Sequence, residues 1–317
     1  MKVVITGSAG FVGSHLSKEC VKQGHDVLGI DNLATGRIEN VKKERFAGLP
    51  GKFEFCHYDI NMIDLYRKFD GAEVVFHLAA LPRVQFSIDY PMEANKANIT
   101  GTLNILEAAR FAKVKRVVFS SSSSVFGGAK IFPTPESDTL LPKSPYAVAK
   151  LTGEHYCRVY SELHGLDTVS LRYFNLYGEN QLPGGPYSTV ICAFMDKCFK
   201  GGICQINGNG LVSRDFCYVG NVVEANLLAA NSRQNFNGDV FNIACGESYT
   251  INDIYEKICN MSGKLLPKLH GPARMGDPLK SLADISKAQK ILGYNPNIKL
   301  VEGLEKCYKW WKEGCKA

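Results

Sequence analysis

Through the first half of the chain, short apolar runs alternate with longer stretches in which apolar residues recur every three to four positions. The runs KVVIT (2–6), HDVLGIDN, KFEFCHYDI and AEVVFHLAA read as buried strands, and Val117 to Phe119 and DTVSLRYFN continue the series. Helical spacing is predicted over Phe11 to Gln23, over 92 to 112, and from Pro145 to about His164. That alternation predicts an α/β fold: a doubly wound parallel sheet with right-handed crossovers. From about Tyr173 the pattern turns irregular and richer in Gly and Pro, which marks a smaller α/β lobe. This part carries NLYGENQLPGGPYST, a helix over 189 to 200 and the strand CQING, whereas RDFCYVGNVVEANLLAA predicts a return to the first lobe. The expected division is therefore 1–172 plus about 216–243 for the first lobe, and 173–215 with 244–317 for the second.

Composition narrows the class without naming a chemistry. With 317 residues, 45% hydrophobic and 21% charged, the chain is an ordinary soluble globular protein with room for two lobes. A net charge of +6, spread without a Lys/Arg block, points away from nucleic acid. Eleven cysteines form no C-x-x-C pair, so a reducing compartment, with neither a zinc site nor a disulfide framework, is expected. Met1 and Lys2 run directly into the first strand, which argues against a signal peptide, and no apolar run approaches a membrane span.

The first strand is followed by Gly7, Gly10 and Gly13 and then by a helix beginning at Phe11 and Val12. A strand, a glycine turn and a helix N-terminus make a phosphate cradle, because the backbone approaches closely and unpaired N–H groups face the anion. The second strand ends in Asp31 and Asn32. A carboxylate there suits the two ribose hydroxyls and repels a 2′-phosphate, favouring NAD over NADP, although Arg37 lies nearby in sequence. The third strand runs into Asp59 and Ile60, which serve either the adenine or, for Asp59, the N-cap of the following MIDLYRKF segment. Leu78, Ala79 and Ala80 end the fourth strand with room for a flat cofactor, His77 reads as a core histidine, and Asn98 is placed to tie down neighbouring strand ends.

The serine run from Ser120 ends the fifth strand, and PYAVAK places Tyr146 and Lys150 four apart on one helix face. A phenol with an ordinary pKa near 10 is a poor base at pH 7, and an ammonium one turn away is expected to lower it. Hydroxyl, base and base-tuning cation are thus offered together.

The spacing G-x-x-G-x-x-G resembles the short-chain dehydrogenase/reductases. Across essentially the full chain, TGSAGFVGSHL, DNLATG, HLAA, SSSSVFG, SPYAVAK, LRYFNLYG, SRDFCYV and GD followed by LADISKA resemble the extended members, in particular the NDP-sugar 4-epimerases acting on UDP-glucose and UDP-N-acetylglucosamine. The resemblance implies a Rossmann-type nucleotide-binding lobe, a smaller nucleotide-sugar lobe, and NAD as cofactor. It implies Ser122, Tyr146 and Lys150 as catalytic residues, with Ser120 and Tyr173 joining the glycine turn, Asp31 and Asn98 at NAD. For the UDP-sugar it implies Ser123, Asn175, Tyr187, Ser188, Val190, Arg214, Arg274, Asp277 and Ser281. Arginines suit phosphate oxygens, although Arg214 beside Asp215 is also read as a structural ion pair.

The implied reaction is a transient oxidation at the sugar C4, with Tyr146 taking the O4 proton, and return of hydrogen to the other face. In dehydratases the two positions after the catalytic hydroxyl are Asp and Glu, and the decarboxylase branch has a glutamate nearby. Ser123 and Ser124 stand here instead, which favours epimerisation. Ser281 occupies the place of a bulky tyrosine that restricts some relatives to UDP-glucose, so UDP-N-acetylglucosamine is the expected substrate. Arg83 fits a carboxylate, making a uronic acid or its N-acetyl form the alternative; it is equally read as turned to solvent or to the diphosphate. A sensor or scaffold without catalysis would predict decay of the triad, which is intact. The resemblance also implies a homodimer that pairs the helices at 92–112 and 145–164, and the expected reducing compartment is the cytoplasm.

Overall fold

The computed structural model describes residues 1–62, 64–181, 183, 188–273 and 278–314. The chain opens with β1 (Lys2–Thr6), α1 (Phe11–Lys22), β2 (Asp26–Asp31), β3 (Lys52–His57) and β4 (Val74–His77). There follow α2 (Val84–Asp89), α3 (Pro91–Asn95), α4 (Gly101–Phe111), β5 (Arg116–Ser122), α5 (Pro145–His164) and β6 (Asp167–Tyr173). Next come β7 (Leu176–Tyr177), α6 (Val190–Lys200), β8 (Cys204–Asn207), β9 (Ser213–Arg214), β10 (Cys217–Tyr218), α7 (Val219–Asn231) and β11 (Asp239–Ile243). The last elements are β12 (Tyr249–Thr250), α8 (Ile251–Ser262), β13 (Lys268–Gly271), α9 (Ser286–Leu292) and α10 (Leu300–Lys312).

Seven strands form one sheet in the order β11-β6-β5-β4-β1-β2-β3, every pair parallel. Strands buried on both faces read as continuous apolar runs, as β4 does, whereas the edge strand β3 alternates partly buried and exposed positions. Strand order reverses between β1 and β4. Connections leave that point in opposite directions, so a crevice opens above the C-terminal strand ends. As the RDFCYVGNVVEANLLAA pattern predicted, α7 and β11 return to this sheet, and β11 pairs with β6. A separate core gathers α6, α8 and α10 around Phe194, Ile258 and Trp310, beside the two-stranded pairs β8/β13 and β9/β12.

Two local features position the site. Helix α5 starts where Ser144 Oγ accepts the Ala147 N–H at 3.2 Å and Pro145 stands at the first helical position; it stops at Gly165 with φ +66°. Such a cap contributes about 1 kcal/mol. A side chain at Gly153 would overlap the Phe119 ring, so this glycine lets α5 lie close on β5. The helix expected over 92–112 runs from Pro91 to Phe111, with a π-helical turn at Lys96–Thr100 between α3 and α4. The MIDLYRKF segment forms a 3-10 turn at Leu65–Phe69. Among the described residues, no helix is long and apolar enough to cross a membrane.

Candidate active site

A cleft of about 2000 Å³ runs along the C-terminal ends of the strands and up to the core that holds Ile191 and Phe194. Its first part is the glycine turn. A Cβ at Gly13 would collide with the Gly7 carbonyl, and one at Gly7, where φ is +71°, would come 2.7 Å from the Ala79 nitrogen. Only glycine permits that packing. Helix α1 has no side-chain cap, and Gly10, Phe11 and Val12 line the cleft, so the first helical turn presents N–H groups to it. Asp31 is held by backbone donors: Ala9 N–H donates to Oδ2 at 3.0 Å and Leu33 N–H to Oδ1 at 2.7 Å. Burial lifts its pKa and these two amides oppose that. Arg37 pairs with Glu39 at 3.5 Å.

Asn32 donates to Asp59 at 2.9 Å, and the Asp59 carboxylate also accepts the Asn61 N–H at 2.8 Å. Burial opposes ionisation of Asp59, but these hydrogen bonds prevail and lower its pKa. Its partner is therefore a residue two positions on rather than a helix to be capped. Ile60, Leu78, Ala79 and Ala80 line the cleft beside it. Asn98 does not. Its side chain accepts the Leu81 N–H at 2.8 Å and donates to the Leu81 carbonyl at 3.1 Å, so it fixes the segment after β4 from behind. His77 is the expected core histidine. It bridges Thr6 Oγ1 at 2.8 Å and Thr102 Oγ1 at 3.0 Å, and burial drives its pKa down to about 3.

The predicted triad converges. Lys150 Nζ donates to the Ser120 carbonyl at 2.7 Å and lies 5.8 Å from the centre of the Tyr146 ring. Ser122 and Tyr146 line the same cleft, and the Ser122 hydroxyl opposes the rise of the phenol's pKa. Because Ser124 N–H donates to Ser122 Oγ at 3.2 Å, the Ser122 hydroxyl proton remains available to a ligand. The expected fall in the Tyr146 pKa is absent from the protein alone. Burial pushes the phenol up to about 12, with Ser122 opposing, and burial likewise pulls Lys150 down to about 8. One cause acts on both: removing water disfavours each charged form.

Sequence reading did not identify the contacts that aim these groups. The Tyr146 N–H donates to Ser87 Oγ at 3.0 Å, which pins the start of α5 to α2. Glu154, one turn beyond Lys150, accepts from Ser121 Oγ at 2.5 Å and from Arg172 at 2.8 and 2.7 Å. Tyr173 lines the cleft while its hydroxyl donates to Asn226 at 3.0 Å.

Arg83, Ser123, Ser188, Val190, Arg214 and Ser281 line the same cleft. Asn175 also lines it, donating to Ser281 Oγ at 3.3 Å and to the Asp215 carbonyl at 3.1 Å. Arg214 and Asp215 are not an ion pair with each other. Arg214 donates to the Ser213 and Pro278 carbonyls, whereas the Asp215 carboxylate collects the N–H groups of Cys245, Gly246 and Ala283 at 2.9, 3.0 and 3.1 Å. A carboxylate saturated by backbone donors has no need of the neighbouring cation. Gln205 and Asn207 line the cleft as well, and Gln205 carried no sequence signal. Tyr187, Arg274 and Asp277 lie outside the described residues.

The sequence profile of the NAD dependent epimerase/dehydratase family matches residues 3–244. The UDP-glucose 4-epimerase of Mycolicibacterium smegmatis is 35% identical over 317 residues, covering 98% of this chain and 99% of its own. The UDP-N-acetylglucosamine 4-epimerase from Methanobrevibacter ruminantium M1, solved with UDP-N-acetylmuramic acid, superposes with a TM-score of 0.92 at 36% identity, covering 99% and 98% of the two chains. The UDP-glucuronic acid 4-epimerase from Bacillus cereus, solved with UDP-glucuronic acid and NAD, gives a TM-score of 0.91 at 34% identity and covers 99% of each chain.

Proposed function

From the premise that this chain belongs to the NAD-dependent epimerase/dehydratase family, as an extended short-chain dehydrogenase/reductase of the nucleotide-sugar 4-epimerase group, we propose that it interconverts UDP-N-acetylglucosamine and UDP-N-acetylgalactosamine. It is an isomerase that uses NAD and a UDP-sugar. The observation carrying the choice of sugar is Ser281. It is small, it lines the cleft and it bonds to Asn175, so space remains beside it for a 2-acetamido group. Arg83, at the N-terminal boundary of α2 and on the same cleft, supports a second reading in which the sugar is a uronic acid.

The residues present fit NAD. The uncapped start of α1 and the close glycine turn suit a pyrophosphate, and the Asp31 carboxylate suits ribose hydroxyls. When bound, NAD would supply a reversible acceptor for the hydride of sugar C4. Tyr146, as phenolate, takes the O4 proton and later returns it. Ser122 donates its hydroxyl proton towards O4 as charge develops there. Lys150, held on the Ser120 carbonyl, keeps two further N–H donors for the phenolate and the nicotinamide ribose. The 4-ketose then presents its other face. Ser123 and Ser124, in the turn Ser123–Phe126, provide no carboxyl group for chemistry at C5 or C6, which separates this site from a dehydratase or decarboxylase.

In the second lobe, Arg214, Asn175, Ser188 and Val190 bind the sugar diphosphate and uridine, joined by Tyr187, Arg274 and Asp277 from the sequence reading. Homodimerisation through α4 and α5 is supported by Phe111 and Leu163, 63% and 73% exposed on those helices. A cytoplasmic location is supported by the free thiols of Cys20, Cys157, Cys217 and Cys307. Substrate choice is tested by incubating the enzyme with UDP-Glc, UDP-GlcNAc, UDP-GlcA and UDP-GlcNAcA and scoring each C4 epimer by NMR. Turnover of UDP-GlcNAc above the others is expected. Turnover of UDP-Glc alone overturns the pocket argument, and preference for the acids assigns the sugar to Arg83.

A further inference from the structure

We propose that Glu154, gripped by Arg172 and Ser121, is a positioning residue of this reaction: it locks the serine-bearing tip of β5 onto α5 and thereby sets how Ser122 and Lys150 meet Tyr146. The inference rests on the reading of Tyr146 as proton acceptor. Tyr146, Lys150 and Glu154 follow one another at four-residue intervals on α5, so they form a single stripe facing the sheet. Each is matched to a successive serine of β5. Ser122 lines the cleft with the phenol and opposes the rise of its pKa, the Ser120 carbonyl takes the Lys150 N–H, and Ser121 Oγ donates to Glu154 Oε1. Ser121 lies between the two residues that serve the triad, so anchoring its side chain restrains both neighbouring peptides.

The anchor is itself rigid. Arg172 faces Ser121 across the parallel β5/β6 register and reaches the Glu154 carboxylate with two N–H groups, a bidentate fork of fixed geometry. Its third contact, to the Glu136 carbonyl at 2.9 Å, and its stacking over Phe126 at 4.9 Å tie the crossing after the serine run to the same point. Glu154, Arg172 and Ser121 are 5%, 3% and 2% exposed. Buried ion pairs of this kind add little net stability relative to apolar packing, so geometry is what the pair contributes most distinctly.

The charge of Glu154 has a second effect. The titratable groups facing the Tyr146–Lys150 pair are Glu154 and Cys157 on α5, Tyr173 on β6 and His77 on β4. Of these, Glu154 supplies the carboxylate, and it favours the Lys150 ammonium. Its removal leaves the Arg172 cation uncompensated on the same side of the sheet.

Three variants test the proposal in NAD-loaded enzyme: S121A, E154Q and the apolar pair E154M/R172M, with Y146F beside them. Activity on UDP-GlcNAc is followed by NMR across pH, and substrate affinity by calorimetry. The expected result is a kcat lower by roughly ten- to hundredfold, as for sub-ångström to ångström misplacement of reacting groups. KM and the UDP-GlcNAc dissociation constant should stay within about twofold, since the second lobe is untouched, and the alkaline limb of the E154Q profile should move to lower pH, because the Lys150 ammonium loses the carboxylate that favours it. A folded S121A or E154M/R172M enzyme with parental kcat and pH profile overturns the proposal, as does a loss confined to thermal stability. Should E154Q fail to fold, S121A, which removes one hydroxyl, decides. Persistent activity in Y146F would instead refute the reading of the proton acceptor.

Discussion

Replacing Lys150 by methionine removes a positive charge 5.8 Å from the centre of the Tyr146 ring while keeping most of the side-chain volume. At that distance, with an effective dielectric constant of about 20, the ammonium stabilises a phenolate by about 3 kcal/mol, or about two pKa units. Burial already holds the phenol at about 12 and Ser122 only partly opposes it, so loss of the cation adds to an existing penalty. The acid limb of kcat/KM for UDP-GlcNAc in K150M is therefore expected about two pH units above that of the parent. On that limb the variant should be about a hundredfold slower. The alkaline side carries a second signature. Lys150 titrates at about 8, so the parental ammonium is lost as pH rises through that value and the parental profile should turn down there. K150M has no such group and should lack the downturn. The assay is the C4 epimerisation rate by NMR from pH 6 to 10, with circular dichroism to establish folding. A folded K150M enzyme whose acid limb coincides with the parent's refutes the electrostatic role of Lys150.

S281Y fills the space beside Asn175 and should lower kcat/KM for UDP-GlcNAc by about ten- to a hundredfold, the range of 1–3 kcal/mol for overpacking, while UDP-Glc turnover changes far less; equal losses on both sugars would contradict the pocket assignment. G153A puts a methyl group into the Phe119 ring, which should cost about 1–3 kcal/mol and lower Tm by several degrees in a thermal scan together with kcat; an unchanged Tm and kcat would show that α5 need not lie so close. The pKa of His77 is depressed in the folded protein to about 3, so its contribution is complete above its unfolded value of 6.5 and is lost as pH falls from 6.5 towards 3. That window is worth about 5 kcal/mol at most, and H77Q should flatten the acid side of a Tm-against-pH curve; an equally steep curve in H77Q would assign acid lability to other groups.

Much of the sheet was readable because buried parallel strands are short apolar runs, a pattern that does not depend on their partners. Tyr146 and Lys150 were readable for a similar reason, since four-residue spacing on a helix is local. The residues that aim them were not. Ser87 touches the Tyr146 backbone across 59 positions, and Ser121 reaches Glu154 across 33, pairings created by the packing of α2 and β5 against α5. Adjacency alone made Asp215 an alternative partner for Arg214; the fold supplies backbone donors from Cys245, Gly246 and Ala283. Asn98 was placed correctly as a tie, but the π-helical turn that orients it has no periodic signature. The direction of the Tyr146 shift was misjudged because spacing shows the nearby cation and not the burial that outweighs it.

The measurement that bears most directly on transient oxidation at C4 is epimerisation of UDP-GlcNAc in deuterium oxide, with C4 and C5 of the product read by NMR. Return of the same hydrogen that was removed predicts a C4 epimer carrying ordinary hydrogen at both carbons. Deuterium at C4 or C5 would mean that the carbon exchanged its hydrogen with solvent, and the mechanism built on Tyr146 would be wrong.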